Sequence, residues 1–122
     1  QYIKPIKLSV KGIGAFPNRR SPKVIWAGVN GETQKLATLH AKLEKRLSKL
    51  GIPEEKREFH GHLTLARLKK NRLSAQKFER VIQQTDQFEP HQFTADRLTL
   101  FQSRLMPKGP IYKELFSAKF GT

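Results

Sequence analysis

The sequence predicts an α+β fold within the broad α/β class, with antiparallel or mixed sheets and helices packed against one face. Three observations carry that expectation. Ile6, Leu8 and Val10 alternate with Lys7, Ser9 and Lys11, the period of a strand with one dry face and one wet one. Leu36, Leu39, Leu43, Leu47 and Leu50 recur at steps of three and four, the period of a helix. Near the end, two apolar stretches flank Pro107-Lys108-Gly109-Pro110, as in two strands joined by a turn. The resulting order, β-β-α-β-α-β-β, sets strands in pairs between helices, unlike the strict alternation of a doubly wound parallel sheet.

The first strand, from Ile6, runs into Gly12 and Gly14, where the backbone is expected to loosen. Pro17-Asn18-Arg19-Arg20-Ser21-Pro22 reads as a turn, and Val24 to Val29 is apolar on both parities, as in a strand covered on two sides. These two strands predict a hairpin. Asn30-Gly31 opens the leucine helix, and Gly51, with Pro53 just beyond, closes it. Phe59 to Leu68 reads as a short strand around His62-Leu63-Thr64-Leu65. Ser74 is a good N-cap for a second helix, because Leu73 and Phe78 occupy the two positions of a hydrophobic staple and Val81 and Ile82 continue the stripe. Pro90 marks its far boundary. Phe93 to Leu105 and Ile111 to Phe120 are the closing strands, with Tyr112, Phe116, Ala118 and Phe120 on one parity. No repeat, low-complexity tract or Ser/Gly linker interrupts the chain, so residues 1–122 are expected to form a single domain.

Lys and Arg number 24 against 10 Asp and Glu, a formal net charge of +14. Such a surplus repels itself unless a polyanion is the working partner, so RNA or DNA leads the candidates, ahead of anionic lipid. Apolar residues make up 37% of the chain and include eight Phe, enough for a core and too many for a disordered tail. No apolar run approaches the roughly 18 to 20 residues of a membrane span, and the basic N-terminus has no apolar signal core, so neither feature is expected. Zero cysteines exclude a disulfide scaffold and any thiolate-held zinc or iron–sulfur site, and agree with a reducing, cytoplasmic setting. The chain starts at Gln1 instead of Met, which predicts a piece of a longer product.

With no cysteine and four histidines, the available chemistry narrows to a few residues. His40 in the leucine helix and His91 after Pro90 read as surface or boundary histidines. His60 and His62 share a strand face, with Glu58 on the same parity, but three residues of one strand rarely converge on one ion, so no metal site is expected. His62-x-Thr64 is different. Alternation sets an imidazole beside a hydroxyl on one face, while Leu63 and Leu65 are expected to anchor the other face in the core. An imidazole exchanges a proton near neutral pH and a threonine hydroxyl donates to a phosphate oxygen, so the pair suits phosphoester chemistry. A half-exposed strand whose wet face happens to carry His and Thr has the same spacing, and the three-residue pattern alone does not separate the two.

The wider string Phe59-His60-Gly61-His62-Leu63-Thr64-Leu65-Ala66-Arg67 closely resembles the second histidine motif of the 2H phosphoesterase family, in its LigT-like branch of RNA 2′,3′-cyclic phosphodiesterases, also called 2′-5′ RNA ligases. Val10-Lys11-Gly12-Ile13-Gly14-Ala15-Phe16-Pro17 and Pro22-Lys23-Val24-Ile25-Trp26-Ala27-Gly28-Val29 look like the family's central hairpin, and Leu105-x-Pro107-x-Gly109-Pro110-x-Tyr112-x-x-Leu115 resembles its C-terminal hairpin. The matches span the chain in the expected order. The resemblance implies a two-lobed fold whose cleft holds two His-x-Thr motifs, one histidine acting as base and the other as acid, with both threonines steadying phosphate oxygens. It implies hydrolysis of the 2′,3′-cyclic phosphate end of RNA, tRNA-like or other, to a 2′-phosphate, with 2′-5′ ligation in reverse and no metal or other cofactor. On the matching positions His62 and Thr64 are the catalytic pair and Arg67 is a phosphate contact.

The sequence departs from this pattern in one respect: His62-x-Thr64 is its sole His-x-Thr. Thr38-Leu39-His40 has the reverse order, and His91-Gln92-Phe93-Thr94 is one residue too long. The first motif and part of the N-terminal lobe are therefore expected upstream of Gln1. That segment would be a partner of this one, and the chain alone is expected to be inactive or feeble. Strict alternation also puts Arg67 with Leu63 and Leu65, so a strand end or a bulge is needed to return it to the His62 face. Lys69, Lys70 and Arg72, like Arg19, Arg20 and Lys23, are basic segments that suit an RNA backbone or plain solvation, and Phe16 suits base stacking or a buried turn. The rival from another class is a non-catalytic basic RNA- or nucleotide-binding module. A generic basic ribosome-associated protein explains the charge but not the four matched segments.

Overall fold

The computed structural model describes residues 3–69, 73–85 and 88–121. Its elements are β1 (Ile6–Phe16), β2 (Val24–Gly31), α1 (Thr33–Lys49), β3 (His62–Arg67), α2 (Ala75–Thr85), β4 (His91–Ala95), β5 (Arg97–Met106) and β6 (Gly109–Lys119). A four-stranded sheet has the order β3-β2-β1-β4, and β5 pairs with β6 in a second, antiparallel sheet. The architecture is the mixed α+β type that the pairing of strands predicts. Two compact units divide the chain, Lys7–Phe93 on one hand and Gln1–Ile6 with Thr94–Thr122 on the other. Among the described residues no helix is long and apolar enough to cross a membrane.

In the larger unit, β1 and β2 form the expected antiparallel hairpin. The register slips by one residue between Val10 and Ile13, where Gly12 adopts φ +82°, a conformation that side chains resist. The extra residue reverses the alternation of β1. Leu8 and Val10 lie opposite Gly31 and Val29 before it, and Ile13 and Ala15 lie opposite Ala27 and Ile25 after it, so all four share one face. Gly14 and Phe16 turn to the other. On the first face Ala15, Phe78 and Ile82 form a buried cluster, with Ile13, Ile25 and Leu73 packed against it and Phe78 fully enclosed. That burial holds α2 to the hairpin through the hydrophobic effect. The start of α2 is as the sequence predicts, with the Lys77 backbone N–H donating to Ser74 Oγ at 3.2 Å and Leu73 beside Phe78. Arg19 of the β1–β2 turn reaches Glu79 of α2 at 2.7 Å, an exposed pair worth at most about 1 kcal/mol.

Leu36, Leu39, Leu43 and Leu47 are the half-buried stripe of α1. The helix ends on the predicted glycine: Gly51 has φ +92°, and the Ile52 N–H donates back to the Leu47 carbonyl at 3.1 Å. Leu50, the fifth leucine of the pattern, falls in that terminal turn and is exposed. At the other end Glu32 ties α1 to β1, accepting from the Lys7 backbone N–H at 2.8 Å while its second oxygen meets Lys35 Nζ at 2.9 Å.

Three expectations are corrected. Phe93 to Leu105 is not one strand, because Asp96 interrupts it. Its carbonyl accepts from Phe120 N at 2.7 Å, and the residues on either side join different sheets as β4 and β5. Tyr112 does not share a face with Phe116 and Ala118. β6 carries an extra residue at Leu115, so Phe116 lies opposite Leu100 while Tyr112 lies opposite Ser103 and meets Phe101 edge-on at 6.3 Å. Leu63 and Leu65 are not core residues but 52% and 53% exposed, because β3 is the outer strand and the buried cluster under α2 is built on β1 and β2.

Candidate active-site cleft

The face of β1, β2 and β3 that looks away from α2 carries most of the predicted site residues. Along β2 this face presents Val24, Trp26 and Gly28, which lie opposite Arg67, Thr64 and His62 of β3. Trp26 pairs with Thr64, but its neighbour Ile25 pairs with Ala66, so Leu65 is an extra residue in β3. That bulge settles the side on which Arg67 lies. An unbroken strand would send Arg67 to the Leu63 face; with one residue extra, His62, Thr64 and Arg67 are all on one side. They line a single cleft of about 690 Å³, together with Phe16, Lys23, His40, Phe59 and His60 among others.

His62 is oriented by its own backbone neighbourhood. Its Nδ1 lies 2.7 Å from the His60 carbonyl, which can only accept, so Nδ1 carries the proton and Nε2 is left for the cleft. The ring also meets Phe16 edge-on, with centroids 4.9 Å apart. Phe16 in turn leans on Trp26 at 5.3 Å, and His60 meets Trp26 edge-on at 4.8 Å. Gly14 makes this wall possible, since a Cβ there would overlap the Trp26 ring. Among the described residues the buried Trp26 Nε1 has no hydrogen-bond partner, which marks the indole as placed by packing. Glu55 also lines the cleft; hydrogen bonds from Arg57, first from its backbone N–H and then from its guanidinium, hold the Glu55 carboxyl below the usual range.

His40, by its place in the leucine helix a surface or boundary histidine, lies in the cleft wall. Its ring stacks on Phe59 with centroids 4.3 Å apart, and its Nε2 lies 3.8 Å from Glu44. The four-residue step from His40 to Glu44 is a signal that the sequence carries; the stacking on Phe59, in a distant loop, is not. Trp26 left no signal either beyond an apolar strand. Of the basic segments, Lys23 lines the cleft, Arg19 is paired with Glu79, and Arg20 and Lys69 are exposed. Lys70 and Arg72 lie outside the described residues. His91 stands exposed at the start of β4.

Comparison with known proteins decides the family. The model of the LigT like phosphoesterases matches residues 28–112, which include the end of β2, all of α1 and β3, and the His62-x-Thr64 motif. The chain belongs to the LigT-like phosphoesterases. Among curated relatives in this family, the RNA 2′,3′-cyclic phosphodiesterase of Archaeoglobus fulgidus is 39% identical over 93% of the chain and 61% of its own length. Those of Thermotoga maritima and Aeropyrum pernix are 38% and 34% identical, over 92% and 93% of the chain and 57% and 64% of their own lengths. The chain thus spans about three-fifths of the LigT-like relatives it matches. A crystal structure from Thermus thermophilus superposes with a TM-score of 0.69 at 27% identity, covering 98% of this chain and 63% of that one.

Proposed function

We propose that this chain carries one half of an RNA 2′,3′-cyclic phosphodiesterase site, with His62 as one of its two catalytic histidines, Thr64 as a phosphate donor and Arg67 as a phosphate contact. The bulge at Leu65 is the observation that carries the reading, because it sets a guanidinium beside the His-Thr pair where sequence alternation alone would have separated them. The names of the relatives supply the substrate. In the reaction a water oxygen bonds to phosphorus, the bond from phosphorus to O3′ breaks, one imidazole takes the proton from water, and the other gives one to O3′. The product is a 2′-phosphate with a 3′-hydroxyl. An RNA 5′-hydroxyl in place of water gives a 2′-5′ linkage. His62 is suited to either proton role through Nε2, and the partner histidine belongs to a second His-x-Thr outside these 122 residues. Imidazole, hydroxyl, Arg67 and Lys23 answer the phosphate charge without a metal ion.

The test is hydrolysis of a 2′,3′-cyclic phosphate by this chain joined to a segment bearing the second motif. Activity should survive EDTA and follow a bell-shaped pH profile. His62→Ala should lower turnover about a hundredfold to ten-thousandfold. Thr64→Ala should cost about 0.5 to 1.5 kcal/mol, the worth of one neutral hydrogen bond. Near-wild-type turnover in His62→Ala would sink the assignment. The single His-x-Thr keeps the second reading open, a basic module that binds RNA or a nucleotide without cleaving it. Salt-sensitive RNA binding with no hydrolysis in the joined protein would favour that module.

A further inference from the structure

Outside the cleft, α1 carries a group of cations that neither the core nor the phosphate position uses. Lys42, Lys45, Arg46 and Lys49 are all exposed, and at about 3.6 residues per turn they fall within about 100° of one another around the helix. They stand at steps of three and four, so Lys42 neighbours Lys45 and Arg46, and Lys49 neighbours the same two. Like charges at those steps repel and weaken a helix. A face that is only solvated relieves the repulsion with carboxylates, and here none answers. Glu44, the one acid of α1, is turned away from them, accepting from the Glu55 backbone N–H at 2.8 Å while its other oxygen lies 3.8 Å from His40 Nε2. Among the described residues none of the four cations is in an ion pair. The helix dipole favours cations in the last turn and so accounts for Arg46 and Lys49, but it fades before Lys42 and Lys45.

We infer that this face of α1 is a docking surface for the phosphate backbone of double-helical RNA, separate from the cleft. The inference rests on RNA as the partner in the proposed function, but not on the chemistry at His62, and it names where the body of the RNA is held. His40, the cleft residue of α1, lies at least about 120° away around the helix. Charge complementarity selects the occupant. The four cations run about 10 Å along the axis, the length of about three phosphates of one strand. Thr38, Ala41 and Ser48, exposed beside them, are too small to hold a backbone off. No ring stands among them, so the unstacked bases of a single strand would find nothing to lie on. A duplex keeps its bases stacked inside and its phosphates outermost, which suits a row of flexible lysine charges on a straight rod. An anionic membrane is the rival, but a helix that lies in a membrane surface buries large apolar side chains beside its cations. The leucines of α1 are half-buried in the protein, and the exposed Leu50 and Ile52 come after the helix ends.

Fluorescence anisotropy of a labelled RNA duplex of about 16 base pairs, without a cyclic phosphate and titrated with the 122-residue chain between about 50 and 200 mM salt, tests this. Lys42→Gln, Lys45→Gln, Arg46→Gln and Lys49→Gln together should weaken binding about tenfold to a hundredfold at the lower salt and make it less steep in salt by about three phosphate contacts. The pair Lys42→Gln and Arg46→Gln should give about half that change in slope. Removing as much charge elsewhere, by Arg104→Gln, Lys108→Gln, Lys113→Gln and Lys119→Gln together, should cost several times less affinity. Lys42→Arg, Lys45→Arg and Lys49→Arg together should bind as wild type does, and circular dichroism should show that every variant folds. Equal losses in the two fourfold Gln variants would reduce the effect to net charge and overturn the surface, as would unchanged duplex binding in the α1 variant. Loss of binding to phosphatidylserine vesicles in the α1 variant, with the duplex unaffected, would overturn it in favour of a membrane. Inorganic phosphate separates this surface from the cleft. Wild type that binds phosphate but no duplex would overturn the surface and leave the cleft reading standing, whereas an α1-dependent duplex affinity without phosphate binding would do the reverse.

Discussion

The sheet formed by β1, β2 and β3 presents two unlike faces built from alternate residues of the same strands. Toward α2 it offers Ile13, Ala15 and Ile25, which pack with Phe78 and Ile82 and exclude water. Away from α2 it offers Phe16, His62, Thr64 and Arg67, which remain around an open cleft, and Trp26, which packs against Phe16. The first face contributes stability through apolar area removed from water. The second spends apolar side chains on orientation, with Phe16 and Trp26 fencing imidazoles instead of filling a core. Neither division follows from alternation alone. One extra residue at Gly12 and one at Leu65 decide which side chains fall on which face.

If the two faces carry separate work, substitutions on them should separate stability from ligand binding. Phe78→Ala, in the core face, should show the largest loss of stability, about 3 to 5 kcal/mol by chemical unfolding, because the fully enclosed ring leaves a cavity. The fraction still folded should bind phosphate as wild type does. On the cleft face, Arg67→Ala should weaken phosphate by about 1.5 to 3 kcal/mol, the worth of a hydrogen bond to a charged group. Deleting Leu65 removes the extra residue of β3 and leaves His62, Thr64 and Arg67 on one face of an unbroken strand, so phosphate affinity should stay near that of wild type. A loss of phosphate affinity in the folded deletion variant as large as that of Arg67→Ala would break the parity argument.

Gly14→Ala tests the point where the faces meet the packing of the wall. The added methyl overlaps Trp26, so the indole must move, at about 1 to 3 kcal/mol of stability. Trp26 is the protein's one tryptophan, and its fluorescence should change in the same variant. The smallest effect is expected at Glu32, outside both faces. The Lys7 backbone N–H, and then Lys35, hold its carboxyl below the usual value of 4.5. Stability from this contact is therefore present above that value and is lost as pH falls through the lowered one. Thermal unfolding of Glu32→Gln against pH should lack that part of the acid decline.

Much of the molecule could be read in advance wherever a local rule was sufficient. The hairpin, the leucine helix with its Gly51 end, the Ser74 cap with its Leu73–Phe78 staple, and the His62-x-Thr64 pair each depend on residues a few positions apart. The misreadings cluster where distant segments act. Leu63 and Leu65 look buried by alternation, but β3 is an outer strand. Asp96 looks like part of a long strand until Phe120 takes its carbonyl.

The sequence by itself determined the strand and helix periods, the basic charge, and the motif that names the family, because each is a property of neighbours along the chain. Tertiary structure alone decided that Arg67 joins His62, that Trp26 lies over Gly14, and that His40 stacks on Phe59. The physical reason is that a strand keeps its period of two only while its partner keeps step. Whether a residue is taken up as a bulge depends on the pairing of the next strand, and one such residue reverses the face of every side chain that follows.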